Sequence, residues 1–335
     1  MLAGRYTLSG RIGAGGMGTI LRATDNQMER DVAVKVLHRH LANGTDLRAR
    51  FKAEARHAAS LSHPNIVAVY DQGDVDLPYI VMELVDGPSL REVLVSHGPM
   101  SPAQMLTVIV SLCQALAGAH DKVLVHRDIK PENVLVTRAG VPKLADFGIA
   151  RVMASTRQTA TGMMMGSVHY LAPELVGGTD ATPASDQYAL GVMTFELLTA
   201  RKPLPAETPM AIALRQTNED IPPPSRYAPG VGPQLDRVTA KASARDPGQR
   251  YPSVEDFGAA LNAAVDAGPT RTSWAGHRST PLPGGDASRR FAGGSGVVPG
   301  TRSRFDAGLQ RPILRRHHRR TAGQCLRRRG AQLRI

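Results

Sequence analysis

Two carboxylates, one amide and one ammonium stand close together near the middle of the chain. Asp128, Lys130 and Asn133 belong to the run His126-Arg127-Asp128-Ile129-Lys130-Pro131-Glu132-Asn133, and Asp146 opens Asp146-Phe147-Gly148. Carboxylate and amide oxygens suit a hard divalent cation. An ammonium suits a phosphate, and a carboxylate left over can take the proton of a hydroxyl. Upstream lies Gly13-Ala14-Gly15-Gly16-Met17-Gly18, and Lys35 interrupts the apolar run Val32-Ala33-Val34-Lys35-Val36. In this order the groups are those needed to move a phosphoryl from ATP to a hydroxyl.

The glycine run alone leaves two readings even. A dinucleotide fingerprint needs a strand before it and a helix after it. Here Thr19-Ile20-Leu21-Arg22-Ala23 follows, an alternating run that predicts a second strand. The glycines would then cap a hairpin whose backbone lies close over phosphates, because no Cβ intervenes. An ordinary glycine-rich hairpin has the same appearance, and the downstream motifs decide between them.

With these spacings the set resembles the eukaryotic-like (Hanks-type) serine/threonine protein kinases, from Arg5 to about Val265. Val67-Ala68-Val69-Tyr70-Asp71-Gln72-Gly73 and Val81-Met82-Glu83-Leu84 are similar to the actinobacterial receptor-type members. The resemblance implies ATP with Mg²⁺, or Mn²⁺, as cofactors. It places Ile12, Gly13, Ala14, Gly15, Gly16, Gly18, Ile20 and Ala33 around the nucleotide, with Ile20 covering the adenine. Met82 would back the adenine pocket, and Glu83 and Val85 would offer it backbone groups. Lys35 would hold the α- and β-phosphates and pair with Glu54, which by itself reads as a solvent-facing helix charge among Arg50, Lys52 and Arg56 and gains a role only through its spacing from Lys35. Asp128 would be the base, and Lys130 would neutralise the transferring phosphate, as in the serine/threonine branch. Asn133 and Asp146 would hold the metals, and Phe147 would set the direction of Asp146.

The segment from Asp146 to Ala172-Pro173-Glu174 carries Ser155, Thr156, Thr159, Thr161 and Ser167. The resemblance makes Thr159 and Thr161 autophosphorylation sites, whose phosphates would pair with Arg127, and sets the Ser167 hydroxyl by the base and Lys130. The same hydroxyls also fit a plain polar loop. Glu174 with Arg250 would brace the substrate side, and Asp186 would hold the backbone of the catalytic loop.

Such groups must be carried by particular elements. Residues 6–12, 19–23, 32–37, 66–70 and 79–84 read as five strands, with Asp71-Gln72-Gly73 as a turn. Leu47, Phe51, Ala55, Ala58 and Leu61 share one helical face. Helix-rich sequence follows from Ser89, after the connection Glu83-Leu84-Val85-Asp86-Gly87, where Gly87 releases the chain. The expected fold is α+β and bilobal. A small lobe, residues 1–85, holds a five-stranded antiparallel sheet and one main helix, and a larger, mainly helical lobe spans residues 86–267.

Residues 268–335 differ in character, being rich in Gly, Pro and Ser and then in Arg, and they are expected to be disordered. They hold fifteen arginines against Asp286 and Asp306, so the formal charge of +12 belongs to them and residues 1–267 are close to neutral. The basicity therefore says nothing of the folded part's partners. The arginines suit an anionic surface, an inert linker or an off-frame end equally. Two cysteines exclude a disulfide framework and fit a reducing, cytoplasmic compartment. No signal peptide or transmembrane segment is evident, the apolar stretch 105–119 reading as a buried helix, although relatives of this type are commonly membrane-anchored. The resemblance also implies protein substrates bearing Ser or Thr and a homodimer through the smaller lobe. The competing classes are a pseudokinase scaffold, against which Lys35, Asp128, Asn133 and Asp146 all stand intact, a nucleic-acid binder working through the tail, and a small-molecule phosphotransferase.

Overall fold

The computed structural model describes residues 1–16, 18–42, 45–147 and 168–267, leaving out the side chains of residues 45–47, 50 and 54. In the smaller lobe β1 (Tyr6–Ala14), β2 (Gly18–Asp25), β3 (Arg30–Leu37), β4 (Val69–Asp74) and β5 (Pro78–Glu83) form one antiparallel sheet in the order β1-β2-β3-β5-β4. Helices α1 (Arg39–Ala42) and α2 (Thr45–Ala59) bridge β3 and β4. Side chains alternate across β3 with the two-residue period of a pleated strand. Val32 and Val34 pack with Tyr6, Ala23, Tyr79 and Val81. Ala33 and Leu37 pack on the other side with Phe51 and Ala55 of α2 and with Ile80 and Met82. Lys35 shares parity with Ala33 and Leu37, so the strand aims it at the α2 side, and it is buried there.

The larger lobe is built around α4 (Pro102–His120) and α6 (Pro183–Thr199), with α3 (Leu90–His97), α5 (Pro173–Val176), α8 (Pro233–Ala242) and α9 (Val254–Asp266) packed about them, while Ile212 and Ala213 of α7 (Pro209–Asn218) pack with Val168 and Val176. Ser89 with Glu92 and Ser101 with Gln104 form reciprocal capping boxes that fix the starts of α3 and α4. Every residue of α6 from Ser185 to Thr199 is buried, as expected of a helix enclosed on all sides. Among the described residues α4 is the one helix long and apolar enough to cross a membrane, and its Met105, Ile109, Leu112 and Leu116 are sealed in the core. The short hairpin β6 (Val134–Val136) and β7 (Pro142–Leu144) lies directly after Asn133 and just before Asp146.

Two local expectations change. Asp71, Gln72 and Gly73 are strand rather than turn, paired with Val81, Ile80 and Tyr79, and the reversal falls at residues 75–77. Gly73 is needed because the Tyr79 ring covers it; a Cβ there would stand 2.1 Å from the Tyr79 hydroxyl oxygen. Gly87 serves close packing rather than chain release, since a Cβ would lie 1.9 Å from the carbonyl oxygen of Val136.

Candidate active site

The loop between α4 and β6 is held from below by one buried carboxylate. Asp186, on α6, accepts the backbone N–H of His126 at 2.8 Å and of Arg127 at 2.9 Å, and lies 2.9 Å from Nε2 of His120. Satisfying these donors is what lets a loop enter the core. Arg127 adopts a left-handed φ of 73°, a conformation that a non-glycine residue keeps only when its surroundings impose it. His126 is fully buried; its Nε2 donates to the Ala145 carbonyl at 3.0 Å and its Nδ1 accepts the N–H of Asp128 at 3.2 Å. Its ring edge packs on Phe147 with centroids 4.6 Å apart.

Above this floor the expected groups meet. Asp128 Oδ2 accepts from Lys130 Nζ at 2.6 Å and from Asn133 Nδ2 at 2.9 Å. Asn133 Nδ2 also donates to the Asp128 carbonyl at 2.8 Å. The amide nitrogen is thus committed to Asp128, and the amide oxygen is the atom offered to a cation. Ala145 ties the next strand to the loop through both backbone groups: its N–H donates to the Asn133 carbonyl at 2.8 Å, and its carbonyl accepts from His126. Asp146 follows with φ 61° and receives Lys35 Nζ on Oδ1 at 2.7 Å. Burial pushes the Asp146 carboxyl upward, but the Lys35 ammonium outweighs it and holds the group below its ordinary value. The site therefore joins two largely buried carboxylates to two ammoniums and one amide, all oxygen and nitrogen chemistry fit for a triphosphate and hard cations.

The glycines differ in what demands them. At Gly18 a Cβ would stand 2.3 Å from the Val36 carbonyl oxygen, so this residue lets β2 lie against β3. At Gly15 nothing among the described residues lies within 4 Å of a Cβ, and its N–H closes the turn on the Gly18 carbonyl at 2.9 Å. Ile20, Val85, Ala33 and Met82 belong to one apolar cluster, while Ile12 is half exposed at the rim. Ala14 ends β1 and Gly16 is an exposed turn residue. The N–H of Glu83 is committed to the Ala68 carbonyl at 2.8 Å, so its carbonyl is the backbone group still eligible for a ligand; its carboxylate pairs with Lys143 at 2.9 Å. Ala55, Ala58, Val67, Val69, Ile80 and Met82 line an apolar recess that reaches Asp146 and Phe147.

Glu54 lies on α2, but its side chain is outside the described residues, and the described partner of Lys35 is Asp146. Thr159, Thr161 and Ser167 also lie outside the described residues. Beyond the loop, Arg250 grips Glu174 with two bonds of 2.8 Å, and Ser185 Oγ donates to the same carboxylate at 2.8 Å. Sequence reasoning missed two contributors. His126 orders the loop, and its signal was a histidine between an apolar run and a charged pair. Glu196 is an acid inside the apolar run Thr194-Phe195-Glu196-Leu197-Leu198, and such an acid calls for a partner.

The model of the protein kinase domain family matches residues 6–255. The chain is 43% identical over 267 residues to serine/threonine-protein kinase PrkC of Bacillus subtilis, covering 79% of this chain and 41% of that protein. It is 41% identical to serine/threonine-protein kinase PknL of Mycobacterium tuberculosis, covering 79% of this chain and 67% of the relative. Among solved structures, the PknI kinase domain of Mycobacterium tuberculosis superposes with a TM-score of 0.63 at 30% identity, over 79% of this chain and 97% of that one. The chain thus spans about two fifths of PrkC and nearly all of a kinase domain.

Proposed function

The chain belongs to the protein kinase family, and from that premise we propose that it transfers the γ-phosphoryl of ATP to Ser or Thr hydroxyls of proteins. One observation carries the reading: Asp128, Lys130 and Asn133 are hydrogen-bonded together, and Asp146 with Lys35 is tied to them through Ala145. The acceptor oxygen forms a bond to the γ-phosphorus as the bond to the ADP oxygen breaks, and the hydroxyl proton passes to the Asp128 carboxylate. Lys130, 2.6 Å from that carboxylate, faces the charge on the transferring group. Lys35 would hold the phosphates on the other side. Asp146 and Asn133 offer the oxygen donors that suit Mg²⁺, with Mn²⁺ as a substitute, and the ion would supply charge neutralisation on the phosphates. Catalysis is then chiefly placement and electrostatics.

The proposal extends to activation, in which Thr159 and Thr161 are phosphorylated by the protein itself and paired with Arg127. It extends to a homodimer through the smaller lobe, supported by Met28, exposed at 60%, in the turn next to Arg30, whose guanidinium lies 3.7 Å over the Tyr70 ring. A cytoplasmic site of action rests on the cysteine usage. Contact of the arginines in residues 268–335 with anionic surfaces is subordinate and predicts salt-sensitive binding that is lost on cutting at Gly268. Incubation with γ-labelled ATP and Mg²⁺ tests the core reading: label must appear on Ser or Thr, and a folded protein that binds ATP without transferring label would refute it.

A further inference from the structure

Between α3, the catalytic loop and the turn Val168–Tyr170 lies a second charge cluster with no part in holding nucleotide. Arg91, on α3, donates from Nε to Glu132 Oε1 at 2.8 Å, from Nη1 to Glu196 Oε1 at 2.8 Å and from Nη2 to the Tyr170 hydroxyl at 2.7 Å. Glu196, fully enclosed on α6, also receives Lys202 Nζ at 3.0 Å and the Tyr170 hydroxyl. Lys202 in turn donates to the Tyr170 hydroxyl and sits 4.3 Å over its ring. Burial disfavours a charge on Arg91, yet Glu196 and Glu132 more than offset it and keep the guanidinium protonated.

Neutralising the buried acid does not by itself account for Arg91. Glu196 already has Lys202 as counter-ion, and Glu132 is exposed enough to be solvated without a partner. What the planar fork adds is geometry, because one rigid group fixes three elements at once. Glu132 precedes Asn133 in the turn that presents Asp128. Tyr170 lines the same small recess as Asp128, together with Leu171 and Leu175. The fork therefore sets the distance between the base and the segment leading into Ala172-Pro173-Glu174.

Resting on the kinase reading above, we propose that Arg91 is a positioning residue for the protein acceptor, holding the turn Val168–Tyr170 in register with the catalytic loop so that an incoming hydroxyl reaches Asp128. It takes no part in binding ATP.

The test compares full-length wild type with Arg91→Ala, using as acceptor a synthetic peptide of residues 152–168 of this chain. The KM for peptide should rise about tenfold or more, since small misplacement of reacting groups is costly. The KM for ATP and the peptide-independent hydrolysis of ATP should stay within about twofold. Arg91→Lys, or guanidinium ion added to Arg91→Ala, should restore part of the loss. Should Arg91→Ala not fold, Tyr170→Phe removes one anchor of the fork and is expected to show the same split, smaller in size. Equal losses in peptide transfer and ATP hydrolysis, or no change in either, would overturn the proposal while leaving the kinase reading intact. A wild type that transfers nothing to any acceptor removes both.

Discussion

Glu174 with Arg250 and Asp128 with Lys130 are both carboxylate–cation pairs of the larger lobe, and they differ in what surrounds them. The Arg250 side chain is 0% exposed and Glu174 is 14% exposed, with Ser185 and the Ala184 and Ala244 carbonyls taking up the remaining valences. Asp128 and Lys130 are 20% and 17% exposed, and their floor is backbone held by Asp186. A sealed pair has nothing left to offer a substrate, and breaking it strands a charge in the core. An open pair can exchange a partner for a ligand, and removing its charge strands nothing. The first should therefore govern stability and the second rate.

The largest break in that contrast is Asp128→Asn. Removing the base should lower phosphotransfer by about 10²–10⁴-fold, while the unfolding free energy stays within about 1 kcal/mol because both pair members already meet solvent. A rate within tenfold of wild type would end the assignment of Asp128. A large loss of stability would end the contrast itself.

Arg250→Ala attacks the sealed side. It leaves the Glu174 carboxylate enclosed without its fork and is expected to destabilise the protein by about 3–5 kcal/mol, measured by urea unfolding. The fraction that remains folded should bind ATP with ordinary affinity. A cost below about 1 kcal/mol would mean that solvent can take the place of the fork around Glu174, as at an exposed pair.

A pH series sharpens the same point. Burial raises the Glu174 carboxyl, but the Arg250 fork and the Ser185 hydroxyl more than offset it, so its folded value lies below the ordinary one of 4.5. A group depressed on folding contributes stability that is fully present above its unfolded value and is lost as pH falls through its folded value. Unfolding curves recorded from about pH 7 down to about pH 2 should lose stability increasingly once the pH falls below the ordinary value of 4.5. The double variant Glu174→Gln with Arg250→Met should show a flatter acid limb than wild type. Equal slopes in the two proteins would mean that the pair does not titrate on folding.

How far these roles were legible in the sequence follows the range over which they act. Asp128, Asn133 and Asp146 sit in short runs whose residue types carry their own chemistry; alternation marks the first two strands and apolar runs the other three, the fourth being expected at 66–70 and lying at Val69–Asp74. The turn at Asp71-Gln72-Gly73 was misplaced because glycine marks both a reversal and a strand position under a large ring, and only the pairing of Gly73 with Tyr79 separates the two. Gly18 and Gly87 look alike in sequence, yet each is required by a carbonyl on a distant strand. The Arg91 fork joins residues 41, 79 and 105 positions apart, beyond the reach of any local pattern. An acid amid the apolar residues of α6 signals that a partner exists, not which one.

The smallest expected effect separates backbone strain that serves the site from strain that does not. Arg127 and Asp146 hold positive φ angles inside the cleft, locked by Asp186, Lys35 and Ala145. Val123, three residues before His126, holds φ 59° as the chain leaves α4, but it is 91% exposed and its N–H only closes a turn on the His120 carbonyl. A β-branched residue in the left-handed region costs roughly 1–2 kcal/mol, and an exposed side chain recovers none of it by burial. Glycine adopts that conformation freely, although it gives up roughly 0.5–1 kcal/mol through the entropy of the unfolded chain. Val123→Gly should therefore stabilise by up to about 1 kcal/mol, raising Tm by roughly 2–4 °C, with phosphotransfer within twofold of wild type. A fall in Tm would show that Val123 makes contacts which outweigh its strain. A fall in rate at unchanged Tm would show that stiffness at Val123 helps to hold Arg127 and Asp128, and strain outside the cleft would then belong to the site as well.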